Sequence, residues 1–186
     1  MGTLSVNKLQ AQVGSNIELS GNMIASGAIT DSHAKVVQYL YAISGPASQT
    51  ISSITPVTIT GLSLTITPKY NNSLIVIEGV ILSSNTHVSS YGVFKDDSTT
   101  VSTTGQTNTN EANMQVTNFI GSATTDELWT IPIRHHEISS TLLARTYDIR
   151  ATTGYGGTTY ALHINNRNSN DMAGFSYMIV KEIKIS

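Results

Sequence analysis

The chain of 186 residues contains no cysteine. That excludes a disulfide scaffold, a thiolate zinc site and a thiol nucleophile. Charge is scarce too: Lys, Arg, Asp and Glu make up 12% of the sequence, about half the usual share. The formal net charge is −2. No basic stripe is present to neutralise phosphates, so nucleic acid is not an expected partner. The longest apolar-rich stretch, residues 74–82, falls well short of the ~20 residues of a spanning helix, and no membrane insertion is expected. Residues 1–8 lack the charged and apolar regions of a secretory signal. Nucleophile elbows, phosphate loops, dinucleotide fingerprints and zinc-protease helices are missing, and no cofactor is expected.

Neutral polar residues fill the space instead: 23 Ser, 25 Thr, 14 Asn and 14 Gly. Ser, Thr and Asn compete with the helical backbone, while β-branched Thr suits a pleated surface. No stretch of ten residues carries a convincing 3.6-residue period. Short alternating runs recur at residues 36–41, 57–66, 74–82, 88–95, 113–120, 128–134, 142–151, 158–165 and 175–185, with Gly, Asn and Asp between them. That spacing predicts an all-β fold, an antiparallel β-sandwich or jelly roll. At Gly61 the alternation of Val57 and Ile59 changes parity and continues as Leu62, Leu64 and Ile66, which predicts a bulge or sharp bend.

Residues 1–35 have no aromatic side chain and few large apolar ones. This segment cannot build its own core, and is read as a short extended attachment or shaft segment ahead of a knob domain over residues 36–186. A disordered tail is the plainer alternative. Residues 74–82 and 175–185 are apolar on both parities. A sandwich interior covers one face, and a second copy of the chain is the simplest cover for the other. Ile75, Ile77 and Ile81 on the first run, with Met178 and Val180 on the second, are the expected contacts between copies. A central strand under long loops is the alternative.

The order of several motifs resembles the C-terminal β-sandwich of tailed-bacteriophage fibres, including those of cyanophages. The residues that carry it are Gly61-Leu62-Ser63-Leu64-Thr65-Ile66-Thr67-Pro68 before Ser73-Leu74-Ile75-Val76-Ile77, then Val93-Phe94-Lys95-Asp96-Asp97 and Tyr147-Asp148-Ile149-Arg150-Ala151. Thr158-Thr159-Tyr160-Ala161-Leu162-His163-Ile164-Asn165 follows, and Phe175-Ser176-Tyr177-Met178-Ile179-Val180 closes the series. The opening Thr3-Leu4-Ser5-Val6-Asn7-Lys8-Leu9 is similar to the start of such virion proteins. The resemblance implies a homotrimeric jelly roll, attached to other virion proteins through residues 1–35, on the tail or capsid exterior of a particle assembled in the host cytoplasm.

Candidate binding residues lie on the expected loops and strand ends. Trp129 and Tyr155 offer ring faces to a sugar, and Asn166, Arg167, Asn168, Asn170 and Asp171 offer amide, guanidinium and carboxylate partners for its hydroxyls. Asn165 belongs to the same polar run, and turn formation is the plainer role for it all. His135-His136-Glu137 invites a metal reading; strand geometry puts His136 opposite the other two, so a site would need one histidine from each of three copies on a trimer axis, and a solvated or hydrogen-bonded strand end is the plainer reading, with no metal site assigned. Asp96-Asp97 reads as an acidic hairpin turn. Glu78, inside an apolar run, needs a cationic partner across a strand or interface. Scattered acids such as Asp126, Glu137 and Asp148 keep a glycan-cleaving enzyme in view as the third reading. The leading expectation is a non-enzymatic tail fibre whose trimeric knob binds a host-surface glycan; the second is a capsid decoration or head-fibre protein.

Overall fold

The computed structural model describes residues 34–45, 48–85, 87–96, 99–100, 116–119, 127–153, 158, 160–167 and 173–185. Of the 1–35 segment only Ala34 and Lys35 fall within them. Eleven strands and no helix occur among the described residues: β1 (Lys35–Ser44), β2 (Gln49–Ile51), β3 (Val57–Ile66), β4 (Leu74–Asn85), β5 (Val88–Lys95), β6 (Thr99–Thr100), β7 (Val116–Phe119), β8 (Trp129–Ile138), β9 (Arg145–Thr153), β10 (Leu162–Ile164) and β11 (Ser176–Lys184). The run expected over residues 128–134 extends through both histidines to Ile138.

Four antiparallel pairs are nested: β1 with β11, β3 with β9, β4 with β8, and β5 with β7. Eight strands thus form one long folded hairpin, rolled so that the pairs alternate between two sheets. One sheet runs β1-β11-β4-β8 and the other β3-β9-β5-β7. This is the jelly-roll connectivity expected from the sequence. The short strands extend it. β10 takes over from β11 along the far end of β4, pairing with residues 83–85, and β2 pairs with β10.

The interior is one apolar cluster. Ile75, Ile77 and Ile81 of β4 and Met178 and Val180 of β11 face Ile59, Leu62, Tyr91, Val93, Tyr147 and Ile149 of the other sheet. Burying each such aliphatic side chain stabilises the fold by roughly 1.5–3 kcal/mol. The five residues expected between copies are therefore interior residues, each at most 1% exposed. In both strands the opposite parity turns outward.

Polar groups inside this cluster determine that parity. Glu182, on the inward row of β11, is 0% exposed. Its carboxylate accepts hydrogen bonds from Gln38 Nε2 at 2.5 Å, from the Lys69 amide at 2.9 and 3.0 Å, and from the Tyr70 amide at 3.0 Å. Burial alone would raise the Glu182 carboxyl. The Gln38 amide and the turn's backbone N–H groups outweigh it and hold the group below its ordinary range. At the other end of β11, Ser176 Oγ accepts from the Leu82 amide at 2.9 Å and donates to Asn165 Oδ1 at 2.6 Å. Asn165 is fully buried with φ 63°, and its Nδ2 reaches the Ser44 and Gly45 carbonyls at 3.2 and 3.1 Å. One amide therefore ties the ends of β1, β10 and β11 together, which makes Asn165 a structural residue.

The parity change at Gly61 is a bulge. The β3–β9 register shifts between Thr58 and Ser63, and Gly61 has φ 85°. A Cβ there would stand 2.9 Å from the Ile43 carbonyl oxygen. The side chain of Gln49 spans the irregular stretch, accepting from the Thr60 amide at 2.8 Å and donating to the Thr58 carbonyl at 3.1 Å.

Gly61→Ala combines a left-handed backbone with a clash against main chain, and is expected to destabilise the fold by about 2 kcal/mol or more in urea unfolding. Glu182→Gln is expected to cost about 2 kcal/mol at pH 7, because a buried carboxylate loses charge-assisted bonds. The folded-state pKa of Glu182 lies below its unfolded value, so its contribution is complete above the unfolded value of about 4.3 and disappears as pH falls through the folded one. Paired urea titrations of the two proteins should therefore converge in strongly acidic buffer.

Candidate interaction surface

The outer face of the β1-β11-β4-β8 sheet can be read row by row from the strand register. One row runs Ile43, Tyr177, Val80, Pro132; the next Tyr41, Ile179, Glu78, Arg134; the next Tyr39, Lys181, Val76, His136; and Ile183, Leu74 and Ile138 follow, with Val36 on β1. Val36, Tyr39, Tyr41, Ile43, Ile138 and Phe175 are exposed, and Leu74, Val80, Leu82, Tyr177, Ile179 and Ile183 are half-buried. The rings of Tyr41 and Tyr177 lie 6.1 Å apart, tilted by 34°. Above them Ile43, Gly45, Ala173, Gly174 and Phe175 line an open depression of about 330 Å³. A contiguous apolar and aromatic sheet face of this extent is the mark of an interaction site.

Charge enters this face at one place. Lys181 Nζ donates to a Glu78 carboxylate oxygen at 2.5 Å, and Arg134 Nε stands 3.7 Å from the other. The hydrogen bond from Lys181 holds the Glu78 carboxyl below its usual range, against the opposing effect of burial; the charges of Lys181 and Arg134 add to it. Glu78 thus has the cationic partner that its sequence context required.

The sugar-binding candidates are not gathered into one described site. Trp129, 40% exposed, begins β8 on the inward parity of Ile131 and Ile133. Ser83 pairs with Trp129 on one side of β4 and with Ile164 on the other, so Trp129 and the Asn166-Arg167 stretch share an end of the sheet with β4 between them. Asn166 is only 8% exposed and bridges to Ala173, while its Oδ1 accepts from the Arg167 amide at 2.8 Å. Arg167 is half-buried. Tyr155, Asn168, Asn170 and Asp171 lie outside the described residues.

The acids considered for catalysis have structural partners. Asp148 Oδ2 accepts from Thr58 Oγ1 and from Arg150 Nε, each at 2.7 Å, and the Arg150 guanidinium lies 4.6 Å from the centre of the Phe94 ring. Glu137 accepts from Lys95 Nζ at 2.9 Å and from Tyr147 Oη at 2.5 Å. Burial would raise the Glu137 carboxyl, but the bonds from Tyr147 and Lys95 prevail and lower it. Burial pushes the Tyr147 hydroxyl well up, and the Glu137 carboxylate adds to the rise. Asp126 lies outside the described residues. Asp96 turns the chain after β5 at φ 51° and accepts from Arg145 Nη1 at 2.7 Å, while Asp97 of the same expected turn lies outside the described residues.

His135 and His136 project to opposite faces of β8. Burial lowers the pKa of His135, with the Glu137 charge opposing, and its buried Nε2 has no hydrogen-bond partner. Among the described residues no group of three His, Asp or Glu side chains is placed to hold a metal ion. Reading the sequence alone missed Tyr39, Tyr41 and Arg134 on the outer face. Glu78 was the available signal, since a charge in mid-strand marks the parity that faces out.

Asp148→Ala removes the carboxylate that accepts from the largely buried Arg150 guanidinium, and is expected to destabilise the fold by about 3 kcal/mol in urea unfolding. Comparison with protein-family models and with curated proteins returns no match.

Proposed function

We propose that this chain is a structural protein of a bacteriophage virion, a tail fibre whose jelly-roll knob assembles as a homotrimer and attaches to a host-surface glycan without catalysis. The observation that carries the reading is the accessible apolar outer face of the β1-β11-β4-β8 sheet, a surface that a second copy would cover. The nested eight-strand architecture is one used by viral capsid and lectin domains. The motif order described above supports the phage assignment, with residues 1–35 as the virion attachment. Three weak sites on one knob, and several knobs on one particle, raise effective affinity without further contacts. The low charge leaves association with little electrostatic steering and little salt dependence.

Light scattering of the purified chain is expected to give three times 19.9 kDa. Ile179→Asp puts a charge at the centre of the outer face, and is expected to yield a folded monomer with an unchanged circular dichroism spectrum. A wild-type monomer at micromolar concentration would refute the assembly. Antibody labelling of particles in the electron microscope is expected to mark the tail; labelling over the head would move the protein to the capsid. Binding of host polysaccharide without release of shorter products is expected, and product release would overturn the non-catalytic reading.

A further inference from the structure

We propose that His135 is the trigger of a pH-sensitive clasp at the β8 margin: as a neutral imidazole it leaves Glu137 free to hold β8 to the opposite sheet, and on protonation it competes for Glu137 and loosens that margin. Among the described residues β8 pairs with β4 alone, so its backbone hydrogen bonds tie down one side of the strand. The polar link across to the second sheet is Glu137. Its carboxylate accepts from Lys95 Nζ on β5 at 2.9 and 3.2 Å and from Tyr147 Oη on β9 at 2.5 Å. Lys95 and Tyr147 are register partners in that sheet, so two adjacent strands donate to one carboxylate. The Lys95 and Glu137 side chains are 27% and 23% exposed, which shields the pair from the screening that weakens a surface ion pair.

His135 lies two residues before Glu137 on the same inward row, opposite Ile77 of β4 as Glu137 lies opposite Ile75. Its Nε2 is buried with no hydrogen-bond partner among the described residues. An imidazolium would add a charge and an N–H that need an acceptor there. Each element packed around the ring contributes a known group. β4 brings the apolar Ile75 and Ile77, and β5 the Lys95 cation. β9 brings the Tyr147 phenol, with Arg145 and Asp96 paired beyond it, and β8 itself brings Glu137 and, on its opposite face, His136. Burial holds His135 below its ordinary pKa; the Glu137 charge opposes this, and the charges of His136 and Lys95 reinforce it. Both oxygens of Glu137 are already engaged, so a protonated ring gains that carboxylate only at the expense of Lys95 or Tyr147. The folded-state pKa of His135 lies below its unfolded value. The stability that the neutral ring contributes is therefore complete above about 6.5 and is lost as pH falls through the folded value. Glu137 and Glu182 are both held below the ordinary carboxyl range, so each keeps its charge across that window.

Amide hydrogen exchange on the full chain, corrected for the intrinsic effect of pH, tests the clasp. Between about pH 7.5 and about pH 5, on either side of the ordinary imidazole value, the β8 amides bonded to β4 are expected to exchange severalfold faster, while those of β11 keep their protection. His135→Phe fills the site with an apolar ring and is expected to abolish the acceleration. His135→Gln, neutral at every pH, carries the same test should the phenylalanine variant fail to fold. His163, on β10, is also held below its ordinary value by burial and serves as the control: His163→Gln is expected to leave the acceleration of β8 intact. An NMR titration of His135 in the wild-type chain is expected to give a midpoint below about 6.5 that coincides with the loosening. Unchanged β8 exchange, acceleration that persists without His135, or a His135 midpoint at or above the ordinary value would overturn the clasp. Equal acceleration in β11 would overturn it too, as the mark of global unfolding rather than of a loosened margin.

Discussion

The fold depends on which face of β11 turns inward, and two polar side chains fix that choice. Glu182 and Ser176 share the inward row with Met178 and Val180. Turned outward, they would leave the amides of Lys69, Tyr70 and Leu82 without these acceptors. Turned inward, the carboxylate closes the turn between β3 and β4, and the hydroxyl joins β4 to the Asn165 amide. Desolvating a carboxylate is expensive unless its oxygens are satisfied, and here the Gln38 amide and two backbone N–H groups satisfy them. The greasier row, with Tyr177, Ile179 and Ile183, is left on the outside as a result.

That inversion explains how much the sequence disclosed. The strands, the bulge at Gly61 and the jelly-roll class follow from alternation and turn chemistry, which act locally. Surplus apolarity in β4 and β11 was also legible, because both parities of each run are apolar. Its direction was not. On β4 the charge of Glu78 marks the outward parity, but on β11 the adjacent Lys181 and Glu182 give opposite signals. Hydrophobicity counts favour burying the row that in fact stays out. Only the donors that converge on Glu182, from Gln38 and from a turn more than a hundred residues away in sequence, resolve the conflict. The same distance hid Asn165, which reads as one more loop amide until its partners on β1 and β11 are known. Arg150 and Asp148, two residues apart on one strand, were closer to being readable as a pair.

The outer face combines two properties that pull against each other. Its aromatic and aliphatic rows favour removal from water, while the Glu78, Lys181 and Arg134 group at its middle resists it. An ion group of this kind adds little to the strength of a contact. It penalises contacts that lay an apolar row over it, because the group is then desolvated without gaining new partners. On the proposed reading, the apolar rows supply the affinity of one copy for another and the charged row supplies the alignment.

On the proposed reading, β1 has a further consequence for the life of the chain before assembly. It is a ten-residue strand at the margin of its sheet, with exposed Val36, Tyr39, Tyr41 and Ile43, and β3 flanks part of that margin, with Gly61 close against the Ile43 carbonyl and the Thr67 carbonyl accepting from Gln38. A lone folded copy therefore leaves those four side chains open to whichever apolar surface it meets first. Recovery of native protein would then be governed by a race between productive encounter and haphazard apolar contact, a race set by how quickly sibling chains emerge near one another from the same messenger.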